Sequence, residues 1–283
     1  MIKRLGIVGS GIMGSGIAEV AAKAGIEVLL RSRKQHTADA MVAALTKSLD
    51  KQVEKGKLDA GERDGVLSRV TGTHDLHALT DCDLVIESVV EDLDVKKELF
   101  RRLDLVVKDD AILSTNTSTL PVVDLAVETE RPERVCGIHF FNPAPMMSLV
   151  EIVRPLTASD ETIAAARTFA EACGKGPVEV KDRAGFIVNA LLFPYLNNAV
   201  RMLETGTASR DDIDSAMKGG CNFPMGPLAL LDLVGLDTSL AILDALYDEF
   251  RDPNYAAVPT LRRMVAAGHL GRKSGQGFHD YRK

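Results

Sequence analysis

The sequence lacks the features of a membrane protein, a secreted protein or a general nucleic-acid-binding protein. It has no uncharged apolar run of 18 residues, and its first residues lead into an apolar segment without a basic stretch and apolar leader. We therefore expect a cytoplasmic protein that does not enter a membrane. It also has no excess of basic residues, since the net charge is −6 at pH 7, and so we expect no nucleic-acid partner.

Cysteine is scarce as well. The four cysteines stand far apart in the chain, at Cys82, Cys136, Cys173 and Cys221, and no CxxC pair or neighbouring histidine has the spacing of a zinc site. We interpret all four as reduced, buried thiols, and we expect no metal.

The sequence does contain enough apolar material for a large core. Its 283 residues are 46% apolar, and this length lies between one and two typical domains. These values predict a globular protein.

A glycine-rich loop stands close to the start of the chain. Gly9, Gly11 and Gly14 form GxGxxG after a short apolar run and before a helical pattern, and a second apolar run follows. This context is typical of a dinucleotide-binding loop, in which the helix N-terminus holds the pyrophosphate. We expect these glycines, with Ile12 and Met13 between them, to contact the cofactor. The alternative is a glycine-rich turn in another α/β fold.

The end of the second apolar run is unusual for such a loop. An acidic residue that accepts hydrogen bonds from the adenosine ribose is expected there, but the sequence has Ser32, followed by Arg33 and Lys34. A hydroxyl group beside two cations attracts a 2′-phosphate, so we predict a preference for NADP(H). In the alternative interpretation the two cations are solvated and Ser32 accepts NAD(H).

Residues 36–68 have a helical pattern that is longer than an ordinary crossover. Lys47, Lys51 and Lys55 recur in it at four-residue spacing and share one helix face. Such a stripe suits a substrate that carries phosphate, although a lysine stripe interleaved with acidic residues is also typical of a solvated face.

Polar residues follow another predicted strand. Asn116 and Ser118 stand at its carboxyl end, where open parallel sheets bind ligands. Both are therefore functional candidates, and the alternative is helix N-capping by Ser118 or Thr119.

A histidine and a glutamate lie on two apolar runs separated by a proline-containing connection. His139 is in VCGIHFF and Glu151 is in LVEIV, so a strand-loop-strand unit brings the carboxylate to the imidazole, where it can orient the ring and favour its protonated form. This arrangement suits an acid/base pair, and a structural hydrogen bond is the alternative. A hydrolase triad with Ser118 is disfavoured, because the sequence has no GxSxG elbow.

The predicted secondary structure changes near residue 183. Strand and helix patterns alternate up to that point, and helices dominate after it, over residues 185–204, 210–219, 226–250 and 260–268. We therefore expect an α/β domain over 1–183, with a mostly parallel sheet, and an all-α domain over 184–283. The second domain carries more apolar residues than it can bury alone, which predicts contact with another subunit.

Several of these motifs occur together in one known family. The chain resembles the short-chain 3-hydroxyacyl-CoA dehydrogenases over nearly its whole length, through GSGIMGSGIAEVAAKAG, VIESVVEDLDVKKELF, STNTSTLP, GIHFFNPAPMMSLVEIV, DRAGFIVNALLFPYLNNAV, FPMGPLALLDLVGLD and GRKSGQGFHDY. The resemblance implies a Rossmann-like N-terminal domain and a helical C-terminal domain that forms a homodimer. It also implies hydride transfer between a nicotinamide and C3 of an acyl-CoA, with 3-hydroxybutyryl-CoA and acetoacetyl-CoA as the expected pair.

The resemblance assigns roles to individual residues. It makes His139 the acid/base, Glu151 the group that orients it, and Ser118 a contact of the substrate's 3-oxygen. Asn189, in GFIVN, is expected to reach in from the second domain, and Asn142 of HFFNP is expected to contact the substrate.

Further residues match positions that bind the cofactor or coenzyme A. Glu91, Lys96 and Asn116 are expected near the nicotinamide half of the cofactor, and Ser48 and Lys55 near coenzyme A. Ser32 departs from the family, which usually has an acidic residue at that position. The resemblance leaves two other roles open, namely a dehydrogenase of carrier-protein-bound hydroxyacyl units and a non-catalytic structural protein.

Overall fold

The structure, a computed structural model, describes residues 2–282 and divides into two units. Unit 1 ends at Asp182 and unit 2 begins at Arg183.

Unit 1 is built on one sheet of eight strands, in the order β3-β2-β1-β4-β5-β6-β7-β8. The first six strands are parallel, β7 runs antiparallel to β6, and β8 runs parallel to β7. The strands are β1 (Arg4–Val8), β2 (Glu27–Arg31), β3 (Val70–Thr73), β4 (Leu84–Glu87), β5 (Ile112–Thr115), β6 (Val135–Phe140), β7 (Leu149–Arg154) and β8 (Gly176–Lys181). This is the doubly wound order of a dinucleotide-binding fold with two strands added, and the expected Rossmann-like class is confirmed.

Helices cover the sheet of unit 1. They are α1 (Ile12–Lys23), α2 (Gln35–Glu54), α3 (Ala60–Leu67), α4 (Leu93–Asp104), α5 (Val123–Ala126) and α6 (Asp160–Ala172). The core forms where Leu5, Ile7 and Leu30 of the strands pack with Ile17 of α1 and Leu45 of α2, all of them buried. Burial of each such side chain contributes about 1.5–3 kcal/mol, so the amphipathic pattern of α1 and α2 fixes these helices on the sheet.

Unit 2 consists of helices around a separate apolar core. They are α7 (Val188–Glu204), α8 (Arg210–Cys221), α9 (Pro227–Val234), α10 (Leu236–Phe250) and α11 (Pro259–Ala266). The helix that we expect over 226–250 is interrupted in the structure, because Gly235 has a φ of +102° and separates α9 from α10. A left-handed φ of this kind is available to glycine without steric cost, and it permits the change of direction.

Two buried carboxylates fasten the chain within unit 2. Asp214 accepts hydrogen bonds from the backbone N–H groups of Leu228 and Ala229, and Asp232 accepts them from Phe278 and His279. These bonds satisfy the first turn of α9 and hold the C-terminal tail.

The cysteine prediction is only partly right. Cys82 and Cys136 are buried, but Cys173 is half-buried and Cys221 is exposed at the end of α8. The error arises because cysteine tends to be buried as a residue type, whereas Cys221 ends a helix whose burial is confined to one face. No helix within residues 2–282 has the length and apolar character to cross a membrane.

Candidate active site

The glycine loop between β1 and α1 has the geometry of a pyrophosphate cradle. Gly9 has a φ of +144°, and a Cβ on it would lie 2.1 Å from the carbonyl oxygen of Ser88. A Cβ on Gly14 would lie 2.8 Å from the carbonyl oxygen of Gly9, so this glycine permits the tight turn into α1. Gly11 instead faces open space, which a side chain would occupy. The loop therefore fits a dinucleotide, whose phosphates can approach the backbone and the N-terminus of α1.

His139 and Glu151 form a buried pair on neighbouring strands. They are opposite residues in the antiparallel register of β6 and β7, and Nδ1 of His139 lies 2.8 Å from a carboxylate oxygen of Glu151. Both side chains are buried, so the strand-loop-strand unit expected from the sequence is present.

Ser118 completes this group on the other side of the imidazole. Its Oγ lies 3.2 Å from Nε2 of His139. A carboxylate only accepts hydrogen bonds, so we assign the proton of the neutral ring to Nδ1 of His139, which leaves Nε2 as a base that accepts from Ser118. The arrangement can take up a proton at Nε2 and release it again.

Ser118 does not serve as a helix cap. The N–H groups of Val122 and Val123 at the start of α5 donate to the carboxylate of Asp182, at 3.0 and 2.7 Å. In the preceding turn, Thr117 Oγ1 accepts from the N–H groups of Thr119 and Leu120. The hydroxyl of Ser118 is therefore directed to His139 and not to the helix.

Lys96 and Glu87 form a buried ion pair that extends to Glu91. Nζ of Lys96 lies 2.7 and 2.8 Å from the two carboxylate oxygens of Glu87 and 3.1 Å from an oxygen of Glu91. The side chains of Lys96 and Glu87 are 1% and 0% exposed. Glu91 in turn accepts hydrogen bonds from the hydroxyl of Thr117 and from the N–H of Ser118. Three contacts match the three protons of an ammonium group, so Lys96 is committed to positioning the two carboxylates.

Glu87 is a member of this network that was not predicted from the sequence. Its carboxylate also accepts from the hydroxyl of Thr115 and from the N–H of Val89, at 2.7 and 2.6 Å. The available signal was an acidic residue inside the apolar run that forms β4, because a charge there needs a partner.

Asn116 forms a hydrogen bond with β6, the strand that carries His139. Its side-chain oxygen accepts from the N–H of Phe140 at 2.8 Å, one residue after His139. This bond joins the end of β5 to the end of β6.

A groove of about 450 Å³ runs beside the glycine loop. Gly11 and Ile12 line it together with Ser48 of α2 and Pro143 of the loop between β6 and β7. Met13 follows as a half-buried residue of α1. The groove therefore connects the predicted cofactor loop with one predicted coenzyme A contact.

The two α2 candidates lie on one helix face. Ser48 is exposed, and its Oγ lies 3.5 Å from a carboxylate oxygen of the buried Glu19. Lys55 is the C-terminal cap of α2 and lies seven residues, or two helical turns, after Ser48. It is exposed, and so are Lys47 and Lys51.

Two further substrate candidates are Asn142, three residues after His139, and Asn189, in unit 2. Asn142 is exposed at the start of the loop after β6, and its peptide bond to Pro143 is cis. Asn189 lies in the first turn of α7, in unit 2. Their proposed contacts with substrate remain predictions.

Ser32, Arg33 and Lys34 follow the end of β2. Ser32 is buried and its N–H donates to the carbonyl of Thr73, whereas Arg33 and Lys34 are exposed.

The glycine loop and the imidazole group together define a dehydrogenase that uses a nicotinamide dinucleotide.

Comparison with known proteins supports this class. Residues 4–183 match the NAD-binding domain of 3-hydroxyacyl-CoA dehydrogenase, and residues 185–281 match the C-terminal domain of the same enzymes. The chain therefore belongs to the 3-hydroxyacyl-CoA dehydrogenase family.

Individual relatives resemble the chain over its full length. It is 50% identical over 282 residues to a 3-hydroxybutyryl-CoA dehydrogenase of Mycobacterium tuberculosis, with 99% of each chain covered. It is 47% identical to a 3-hydroxybutyryl-CoA dehydrogenase of Clostridioides difficile, with 99% of this chain and 100% of the relative covered. The crystal structure of (S)-3-hydroxybutyryl-CoA dehydrogenase from Ralstonia eutropha superposes with a TM-score of 0.97, at 42% identity and with both chains fully covered.

Proposed function

We propose that the protein catalyses reversible hydride transfer between a nicotinamide cofactor and C3 of a short-chain 3-hydroxyacyl-CoA, with 3-hydroxybutyryl-CoA and acetoacetyl-CoA as the preferred pair. The observation that carries this proposal is the imidazole of His139, held between Glu151 and Ser118 in a chain of this family. The names of the full-length relatives support the choice of acyl group.

The proposed mechanism uses Nε2 of His139 as the acid/base. In oxidation, Nε2 takes the proton of the C3 hydroxyl group as the C3 hydrogen leaves with its electron pair, and a ketone remains. In reduction, the same nitrogen returns the proton to the developing alkoxide. The bound nicotinamide supplies or accepts the hydride.

The neighbours of His139 hold it ready for both directions. Glu151 accepts from Nδ1, keeps the ring in one tautomer and stabilises the imidazolium that forms. Ser118 holds the substrate's 3-oxygen beside Nε2, and Asn189 is proposed as a further polar contact of the substrate. The carboxylate and hydroxyl thus prepare the ring before the substrate binds.

The cofactor contacts follow from the ionic network. Glu91, whose side chain is 41% exposed, and Asn116, which follows β5 at the carboxyl end of the sheet, are proposed to contact the nicotinamide half. Lys96 acts through Glu91 and not by direct contact, since its ammonium group is already committed to Glu87 and Glu91. At the other end, Gly9, Gly11, Ile12, Met13 and Gly14 receive the pyrophosphate.

Coenzyme A is proposed to lie along α2. Ser48 lines the groove beside the glycine loop, and Lys55 presents an ammonium group two turns further along the same face. A cation at that distance suits a phosphate of coenzyme A. Asn142 borders the acyl end of this path, in the loop that also contributes Pro143 to the groove.

NADP(H) is the proposed cofactor, with NAD(H) as the alternative. Support comes from Ser32 in the position of the ribose-binding carboxylate and from the exposed guanidinium of Arg33 beside it. The protein is further proposed to act as a homodimer through unit 2, where Leu191, Met202 and Leu233 are exposed apolar side chains.

The deciding experiment is steady-state reduction of acetoacetyl-CoA, followed by the absorbance of the reduced nicotinamide, with NADPH and NADH compared. Rapid turnover with NADPH preferred is the expected result. Turnover with NADH preferred would keep the reaction and overturn the cofactor proposal. Absence of turnover with both cofactors, also on longer acyl-CoA chains, would overturn the proposed substrate class and direct the assay to carrier-protein substrates.

A further inference from the structure

Three arginines cluster near the end of β2. Within residues 2–282, no hydrogen bond or ion pair is found for the guanidinium groups of Arg31, Arg33 or Arg102. By contrast Arg101, the neighbour of Arg102 on α4, is paired with Glu128 at 2.7 Å. An unpaired cluster of like charges is unfavourable unless an anion joins it.

Two of these arginines line a groove. Arg31, the last residue of β2, and Arg102 of α4 border a groove of about 540 Å³, together with His74, Asp75 and His77 from the segment after β3. Asp75 is the single carboxylate in this lining, against two guanidinium groups and two imidazoles. The groove thus offers several donors to an anion and little opposing charge.

Arg31 has a further unsatisfied group. Its Nε atom is buried and has no hydrogen-bond partner. The pKa of Arg31 is lowered by burial and then by the charges of Arg102 and Arg33, with Asp75 opposing them. A buried donor without an acceptor destabilises the protein, and a bound anion that accepts from Nε removes this penalty.

The position in the fold identifies the kind of anion. Arg31 and Arg33 flank Ser32, which stands where this fold recognises the 2′ position of the adenosine ribose. The negative charge of a phosphate monoester on that position would be attracted by the guanidinium groups of these arginines. Guanidinium groups suit such a group because they donate in pairs to phosphate oxygens.

We propose that Arg31 and Arg102, which line the groove beside β2, form the receptor for the 2′-phosphate of NADP(H) together with Arg33, which lies near Arg31 outside the lining of the groove. This inference rests on the proposed NADP(H) preference and extends it, since it assigns specificity to two arginines on either side of the groove and not only to the residues of the loop.

The test measures binding without turnover. Adenosine 2′,5′-bisphosphate and 5′-AMP are titrated by calorimetry into the wild-type protein and into the variants Arg31→Gln, Arg102→Gln and Arg102→Lys. Arg101→Gln is the matched control, because it removes a neighbouring guanidinium that already has a partner. We expect Arg31→Gln and Arg102→Gln each to weaken the bisphosphate by about 10- to 100-fold and to leave 5′-AMP unchanged. Arg102→Lys should bind the bisphosphate more tightly than Arg102→Gln does but less tightly than the wild type. Arg101→Gln should bind both ligands as the wild type does.

The outcomes separate this inference from the cofactor proposal. Wild-type protein that prefers the bisphosphate, with variants that keep the same preference, would overturn this inference alone. Wild-type protein without that preference would overturn it together with the NADP(H) proposal. Equal weakening of both ligands would overturn it in favour of recognition of adenosine. Inorganic phosphate that raises the Tm through Arg102, without any preference for the bisphosphate, would identify a separate anion site and also overturn it.

Discussion

His139 and Glu151 face each other across an antiparallel strand pair, with Nδ1 of the imidazole 2.8 Å from a carboxylate oxygen. The register brings them together because directly opposite residues point their side chains to the same face of a sheet. Burial of both groups keeps water from competing for the bond. The strand pairing therefore favours the tautomer that carries its proton on Nδ1 and leaves Nε2 as a hydrogen-bond acceptor.

Glu151→Gln should impair turnover more than binding. A glutamine amide preserves the size of the side chain but removes the charge and can favour the wrong tautomer of His139, a change that costs up to about 10,000-fold in kcat where a histidine loses an orienting carboxylate. The cofactor Kd should stay near the wild-type value. Steady-state kinetics and a cofactor titration measure both quantities, with Glu179→Gln on β8 as the control. Wild-type kcat in Glu151→Gln would show that the carboxylate has only a structural role.

His139→Gln should remove the acid/base itself. The expected loss in kcat is about 100- to 10,000-fold, the usual contribution of a positioned acid/base. Acetoacetyl-CoA reduction and a fluorescence titration of the reduced cofactor give the two readouts. Full turnover of this variant with intact cofactor affinity would refute the proposed role of His139.

Much of this site could be predicted from the sequence because its residues sit on regular elements. The GxGxxG loop and the spacing of His139 and Glu151 depend on local rules, namely the turn that opens a helix and the pairing of two short strands. The break at Gly235 was missed because apolar residues recur at helical spacing on both sides of it and an isolated glycine is tolerated within a helix, whereas its φ of +102° separates α9 from α10.

Glu87 shows what a linear pattern does not reveal. Its partners Lys96 and Thr115 are 9 and 28 residues away, so their contact depends on how α4 and β5 pack against β4. The sequence marks Lys96 as a cofactor contact by resemblance, whereas its burial and three contacts indicate a positioning role. Tertiary packing decides such roles.

Glu87→Gln should destabilise unit 1 because it leaves the ammonium of Lys96 with less compensation. Removal of one partner of a buried pair costs about 3–5 kcal/mol, while replacement of both partners costs less. The free energy of unfolding, measured in urea by circular dichroism, should therefore be lower for the single variant Glu87→Gln than for the double variant Glu87→Gln with Lys96→Met. Lys97→Met is the control, since its partly exposed pair with Asp124 contributes about 1 kcal/mol or less. Equal stability of Glu87→Gln and wild type would contradict the network.

The four cysteines should differ in reactivity. Burial raises the pKa of Cys82 to about 11 and the pKa values of Cys136 and Cys173 to about 12, so these thiols stay protonated at pH 8. The thiolate is the reactive form, and only Cys221 is exposed among them. We expect an aromatic disulfide reagent to label one thiol rapidly at pH 8 and Cys221→Ser to abolish that phase. Several fast thiols in the folded protein would contradict the low reactivity expected of Cys82, Cys136 and Cys173.

The double change Ser32→Asp with Arg33→Ile should move the cofactor preference towards NADH. A carboxylate at position 32 accepts hydrogen bonds from the ribose hydroxyls and repels a 2′-phosphate, and removal of the Arg33 guanidinium withdraws a cation from that phosphate. The ratio of kcat/KM for NADPH to that for NADH should fall by about 10-fold or more, as expected when a charge-assisted hydrogen bond is lost. Lys34→Gln is the control for a general loss of positive charge and should change the ratio less. If the ratio does not move in the double variant, Ser32 and Arg33 do not decide cofactor choice, and the preference must be set by other residues around the adenosine.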